Sequence, residues 1–252
     1  KYNQKNYPVH LKFNTGLNRL GFWENDVDFI VAHLKGNENI EVISLFSHLA
    51  ASDDLSEEDF TKSQIKIFEK TASKFDEKLG YHPFRHLLNT SGIINYPDAQ
   101  HDMVRSGIGL YGYGNEAKID AQLKPVATLK TIISQIHKIE PEETVGYNRA
   151  FVSESYRTVA TLPLGHADGI GRQYGNGKAS VNVNGKLAPI IGNVCMDMIM
   201  IDVTGFNCKE GDEVIVFGSV PSAEQFASAA KTISYELLSG ISQRVKRLFI
   251  DG

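Results

Sequence analysis

Apolar and polar residues alternate with two different rhythms along the 252 residues, and the change falls near residue 118. Before it, short apolar runs alternate with longer segments that are apolar on one side only. Residues 9–13 read as a strand, 24–34 as a helix, and 41–46 as a second strand ending at Ser47-His48. Ser56, with Asp59 three positions on, has the pattern of a capping box and opens the next helix. Phe60, Phe68, Ala72, Phe75 and Leu79 follow at spacings that predict an apolar stripe on that helix. Residues 85–88 read as a third strand ending at Asn89-Thr90-Ser91-Gly92. A short helix near 98–104 and a strand at 108–111 complete this part. Strands alternating with helices predict a parallel sheet with helices on its outside.

After residue 118 the pattern is mostly strand. Residues 126–139, 158–164, 179–183, 198–203 and 213–217 are β-branched runs, separated by Asn184-Gly185, Gly205 and Gly211-Asp212 as turn signals. One late helix opens at Ser222, with Gln225 at the capping-box position, and runs to about Ser239. Residues 247–250 read as a closing strand. Gly114-Asn115-Glu116 breaks the first rhythm, so the chain is expected to divide into 1–118 and 119–252.

The first part offers about four strands, half of the eight that a (β/α)8 barrel uses. The expected fold class is α/β plus β: the C-terminal strands of a partial barrel, followed by a β-rich domain. An open half-barrel leaves an unpaired edge, and the chain opens on Lys1 rather than Met. Both lead us to expect further strands before residue 1.

Composition narrows the function classes. A hydrophobic content of 42% and a charged content of 22% describe an ordinary globular chain. A net charge of −4 leaves no large basic excess, so nucleic acid is not an expected partner, and no apolar run approaches the ~20 residues of a membrane span. Cys195 and Cys208 are too few for a disulfide framework and lack metal-ligand spacing, so no metal is expected and a reducing, cytoplasmic setting is.

In parallel α/β folds chemistry gathers at the C-terminal strand ends. The polar residues there are Lys12, Arg19, His48, Asn89, Thr90 and Arg105. The Ser106-Gly107-Ile108 turn has small residues whose amides can cradle a phosphate. Taken alone, Gly107 reads rather as a loop glycine and Thr90 as a helix cap.

Taken in order, the motifs are far more specific. The run from His10 to Gly21 (HLKFNTGLNRLG) resembles the alanine racemase segment H-L-K-x-D/N-T-G-M/L-x-R-L-G. Ser47-His48-Leu49-Ala50 and Asn89-Thr90-Ser91-Gly92 match the next two strand ends. The run from Asp102 to Gly112 (DMVRSGIGLYG) is very similar to D-x-V-R-x-G-I-x-L-Y-G. Leu164-Gly165-His166-Ala167-Asp168-Gly169 and Gly192-Asn193-Val194-Cys195-Met196-Asp197 complete a set that covers nearly the whole chain.

This resemblance to the alanine racemase family implies residues 1–118 as the C-terminal part of a pyridoxal-5'-phosphate (PLP) binding TIM-type barrel and 119–252 as the family's C-terminal β-domain. It implies interconversion of L- and D-alanine by two bases, supplying D-alanine for peptidoglycan, in a cytoplasmic homodimer with shared active sites. Arg105 is implied at the pyridine nitrogen, with His48 beneath the ring. Arg19 is implied at the phenolic oxygen and the substrate. Asn89, Thr90, Gly107 and Ile108 serve the cofactor, the last three near its phosphate. Tyr147 matches the tyrosine base and Arg172 a supporting arginine. Met196 and Asp197 match the substrate-carboxylate clamp. Lys12 matches a lysine carbamylated in several relatives.

The chain departs from the pattern at three places. His166 and Gln243 stand where tyrosines are common, at the pocket margin. With the glycine-rich run from Gly169 to Gly177, they resemble the racemase halves of bifunctional UDP-N-acetylmuramoyl-tripeptide–D-alanyl-D-alanine ligase/alanine racemases. No lysine here has the V-K-A-x-A-Y-G context of the family's Schiff-base lysine, so the chain alone is expected to be inactive. The competing reading is a non-catalytic PLP-binding or dimerisation module, which needs neither the Tyr147 base nor the Met196–Asp197 clamp.

Overall fold

β1 (Tyr7–Lys12), β2 (Ile40–Phe46) and β3 (Phe84–His86) form a parallel sheet in that order. The chain is described by a computed structural model over residues 6–114 and 117–250, so Asn115-Glu116 of the sequence break lies outside the described residues. Two compact units are formed, residues 1–124 and 125–252.

Period-two alternation sorts the first sheet into two faces. The row Leu11–Leu45–Arg85 faces one way. The rows His10–Ser44–Phe84 and Lys12–Phe46–His86 face the other. Leu11 and Leu45 pack with Val27 and Val31 of α1 (Val27–Leu34) and with Phe68, Ala72 and Phe75 of α2 (Glu58–Leu79). The chemistry-bearing side chains are therefore on the face away from the helices.

Local signals account for most elements and misplace a few. Asp54, not Ser56, caps the helical segment, accepting from the Ser56 amide one 3-10 turn ahead of α2. The buried stripe of α2 is Thr61, Gln64, Phe68, Thr71, Ala72 and Phe75. Phe60 stays 43% exposed, because a spacing of eight rotates it about 80° from Phe68. The helix expected near 98–104 is earlier: α3 spans Thr90–Asn95, capped by the Asn89 side chain, and Pro97–Ala99 is a 3-10 turn.

The strand expected at 108–111 is instead a 3-10 helix, Ile108–Tyr111. The Thr90 hydroxyl accepts from the amides of Gly107 (3.0 Å) and Gly109 (3.2 Å), which curls this segment away from an extended ladder. Sheet-like pairing falls earlier, where Met103 bridges His86 in parallel. A one-turn helix, α4 (Ala117–Asp120), follows.

The second unit is a seven-stranded antiparallel sheet. Its strands are β4 (Leu129–Ile132), β5 (Gln135–Ile139), β8 (Arg157–Leu162), β9 (Ser180–Val183), β10 (Lys186–Ile191), β11 (Ile199–Asp202) and β12 (Glu213–Phe217). The order is β4-β12-β9-β10-β11-β8-β5. The stretch 126–139, expected as one strand, is split, and its halves β4 and β5 form the two sheet edges. Residues 133–134 alone join those edges, so the sheet must curl on itself. β10 escapes a propensity reading because Pro189 sits inside it.

A separate hairpin, β6 (Thr144–Val145) and β7 (Phe151–Val152), packs on this sheet through Val145, Val159 and Ile191. The expected late helix breaks into α5 (Ala223–Ala229), with the Ser222–Gln225 capping box, and α6 (Ser234–Gly240). Lys231, at φ 58, makes the break. Residues 247–250 are irregular rather than a strand. Their apolar side chains find no sheet edge, and Phe249 is 97% exposed.

Candidate functional site

Arg105 is the centre of the first unit's site. Its Nη1 donates to His86 Nδ1 at 2.5 Å, and its Nη2 donates to the carbonyls of Ser47 (2.9 Å) and Leu87 (3.0 Å). His48 Nδ1 lies 3.3 Å from the same Nη2. All four partners are neutral acceptors or acceptor-capable rings, so the half-buried guanidinium has no carboxylate to neutralise it among the described residues. Burial lowers its pKa from the ordinary arginine value, but a guanidinium still remains a donor at working pH.

Phe46 forms the floor. The His86 ring stacks on it at 4.9 Å and 8°. The Arg105 guanidinium lies 5.6 Å from its centroid and Lys12 Nζ 6.0 Å. Burial, then the charges of Arg19 and Arg105, lower the Lys12 pKa. Burial, then Arg105, Arg19 and Lys12, lower that of His48. Burial, then Arg105 and His10, push His86 down to about 4. Arg19 is exposed. Its loop is closed by the Phe13–Phe22 bridge and by Asn14, whose Oδ1 accepts from the Gly16 and Asn18 amides. Three cations, Lys12, Arg19 and Arg105, thus crowd one end of the parallel sheet, and none has an acidic ion-pair partner among the described residues.

The phosphate-side candidates sit beside them. Arg105 N donates to Leu88 O at 3.0 Å, which anchors the following turn against Thr90. Gly107 is exposed, whereas Ile108 is 3% exposed. Asn89 uses its Oδ1 to accept from Gly92 N (2.9 Å) and Ser52 Oγ (2.8 Å). Its first task is to hold α3, the task expected of Thr90 on the bland reading.

Sequence reasoning missed His86, Ser44, His10 and Phe46. The available signal was polar spacing: His10 and Lys12, then Ser44 and Phe46, occupy the same face at period two.

The second unit presents another set. The β6–β7 turn carries Tyr147, 70% exposed, with positive φ at Gly146, Asn148 and Arg149. Asn193 Nδ2 holds the Tyr147 carbonyl at 2.9 Å. Gly192, at φ +64, permits this, since a Cβ there would meet Val145 O at 2.7 Å. The two sequence motifs of this unit are physically paired: His166 N donates to Cys195 O (3.0 Å) and Ala167 N to Met196 O (2.8 Å). Any Cβ on Gly165 would meet Cys195 O at 2.4 Å. Met196 (63% exposed) and Asp197 project from the paired loop. Arg172 is close enough to act on the Cys195 thiol, which burial and then Asp197 push up and Arg172 pulls down. Gln243 is exposed between Ser242 and Arg244, both held by Asp168.

The chain is of the two-unit class in which a parallel α/β unit with an anion-seeking strand end is joined in sequence to a curled antiparallel unit. The comparisons agree. Residues 1–115 match the family "Alanine racemase, N-terminal domain", and residues 126–249 match "Alanine racemase, C-terminal domain". An alanine racemase of Treponema denticola is 39% identical over all of this chain and 69% of its own length. The crystal structure of alanine racemase from Streptomyces lavendulae, a D-cycloserine producer, superposes with a TM-score of 0.91 at 29% identity, covering 98% of this chain and 67% of that one. That of Bartonella henselae, with covalently bound pyridoxal phosphate, has a TM-score of 0.84 at 30% identity, covering 97% and 67%. The chain therefore belongs to the alanine racemase family, whose members are PLP-dependent isomerases. It spans about two thirds of the length of the curated relatives it matches.

Proposed function

We propose that this chain forms the larger part of an alanine racemase that interconverts L- and D-alanine with PLP and supplies D-alanine for peptidoglycan. The observation that carries the reading is the Arg105 guanidinium, held by neutral acceptors beside Lys12 and Arg19. The residues fit the cofactor. An uncompensated cation suits an electron-rich ring nitrogen, and the Thr90–Gly107–Ile108 turn beside it, with Asn89, suits the phosphate side. Bound there, PLP supplies delocalisation of the negative charge that develops at the substrate Cα.

Arg105 would hold the ring nitrogen, and because a guanidinium does not give up its proton, charge withdrawal there would be limited. Limited charge withdrawal would favour racemisation over transamination. His48, kept neutral by burial and by three neighbouring cations, would lie against the ring without adding charge. Arg19 would reach the cofactor's phenolic oxygen and the substrate. Lys12, with its pKa lowered, has a larger share of free amine to combine with carbon dioxide. The products are a carbamate and a released proton, and the new anion holds Arg19. Tyr147 holds or takes one proton at Oη, Arg172 supports it, and the Met196–Asp197 loop clamps the substrate carboxylate. A Schiff-base lysine is the second base. None of these 252 residues has its context, so the chain by itself is expected to show negligible turnover.

We further infer a homodimer with shared sites, from the exposure of Tyr147 and Met196, and a cytoplasmic setting, from the free Cys195 and Cys208. Among the described residues no helix is long and apolar enough to cross a membrane. A fused ligase rests on His166, Gln243 and the Gly169–Gly177 run, and the relatives named above are alanine racemases, which gives it no support.

The test uses the complete protein: an absorbance spectrum with PLP before and after borohydride, then D/L-alanine exchange. A visible band abolished by borohydride, with exchange, is the expected result. A band without exchange would favour the non-catalytic scaffold.

A further inference from the structure

Behind Arg105 a line of polar side chains continues across the inner face of the sheet. Ser44 Oγ lies 3.1 Å from His86 Nε2 and 2.5 Å from His10 Nδ1, and His10 Nδ1 lies 3.3 Å from His86 Nε2. The direction of these hydrogen bonds follows from chemistry. An arginine Nη only donates, so His86 Nδ1 must be the acceptor and its ring proton must sit on Nε2. That proton then needs an acceptor, and Ser44 Oγ is the nearest. A hydroxyl that accepts from His86 is free to donate to His10 Nδ1. The order is therefore Arg105 Nη1–H to His86 Nδ1, His86 Nε2–H to Ser44 Oγ, and Ser44 Oγ–H to His10 Nδ1.

We propose that Ser44 and His10 are positioning residues, which lock His86 in its Nε2–H tautomer and thereby hold Arg105 in place for the cofactor ring. Two features of the fold make the lock. Stacking on Phe46 fixes the plane of the His86 ring. The register shift between Val9 and His10 sets His10 opposite Ser44 in the ladder, so both acceptors converge on one nitrogen. If Ser44 and His10 are removed, His86 Nε2–H has no partner among these residues. An Nε2–H left without an acceptor is costly, so the other tautomer then competes, and because it points Nδ1–H at a guanidinium that cannot accept, it does so only by releasing Arg105.

The role in catalysis rests on the proposed racemase reading; the tautomer does not. Long-range 1H–15N spectra of the complete protein, with labelled histidine, read the His86 tautomer directly. The wild type is expected to show a protonated Nε2 and a bare Nδ1. Ser44→Ala combined with His10→Phe is expected to mix the tautomers and weaken PLP affinity about 3- to 10-fold, the effect of losing one such hydrogen bond. Ser44→Thr keeps a hydroxyl, and His10→Asn keeps an acceptor near Nδ1; each is expected to restore the Nε2–H tautomer. A protonated Nδ1 in the wild type, or an unchanged tautomer in the double variant, overturns the proposal. A wild type that shows the expected tautomer but binds no PLP leaves the relay standing and removes the racemase reading instead.

Discussion

The two units hold their functional side chains in opposite ways. In the first, chemistry lies on the sheet: His10, Lys12, Ser44, Phe46 and His86 project from strand positions, and the hydrogen bonds linking His10, Ser44 and His86 run sideways across the ladder. In the second, the sheet is apolar, with Val159, Val181, Ile190, Ile199 and Val214 buried, and chemistry lies on turns. Tyr147 and Met196 stand on loops that fit their neighbours only because Gly192, against Val145, and Gly165, against Cys195, lack side chains. A parallel sheet places its strand ends together, so a polar cluster can form on regular backbone. An antiparallel sheet sends its turns to both ends, so a site there must be built by loop-to-loop contact.

The sharpest test of this contrast is Tyr147→Phe in the complete protein. Losing one positioned acid–base group is expected to lower kcat by about 10²- to 10⁴-fold, with the PLP spectrum unchanged because the first unit is untouched. Retention of most of the activity would assign the base elsewhere. Gly192→Val tests whether the second site is a matter of backbone fit. A β-branched residue at φ +64, with its Cβ 2.7 Å from Val145 O, is expected to cost about 2–4 kcal/mol. Faster hydrogen exchange in β6 and β7 is the readout, and unchanged protection there would contradict the close-approach argument.

Thr90→Val probes the first unit. It leaves the Gly107 and Gly109 amides without their acceptor, an expected cost of about 1–3 kcal/mol, with weaker affinity for inorganic phosphate; Thr90→Ser is expected to recover both. Equal stability of the two variants would show that the hydroxyl does not organise the turn.

The mildest effect is pH dependence. His48, His86 and His101 all have pKa values lowered from 6.5, His86 to about 4. Between those limits the unfolded chain binds more protons than the folded one, so stability is full above about pH 6.5 and declines as pH falls toward 4. Urea midpoints between pH 7 and pH 4.5 that stay level would mean that these rings are not buried as described.

Period and composition were enough to read β1, β2, α1, most of α2 and the change from α/β to β. These depend on which face of a local segment is apolar, and that is written in consecutive residues. The ordered motifs also made Arg105, His48, Thr90 and Tyr147 legible as candidates. Three matters belonged to the tertiary structure alone. Residues 108–111 have the apolar run of a strand, but the Thr90 hydroxyl, 17 residues away from Gly107 in sequence, turns them into a helix. Residues 126–139 have one continuous pattern, but they serve both edges of a curled sheet. His86, Ser44 and His10 look unremarkable one at a time, and only the strand register, with its shift after Val9, brings them onto one line to Arg105. Local free energies select the elements; pairing between distant segments selects partners, and partners decide what a polar side chain does.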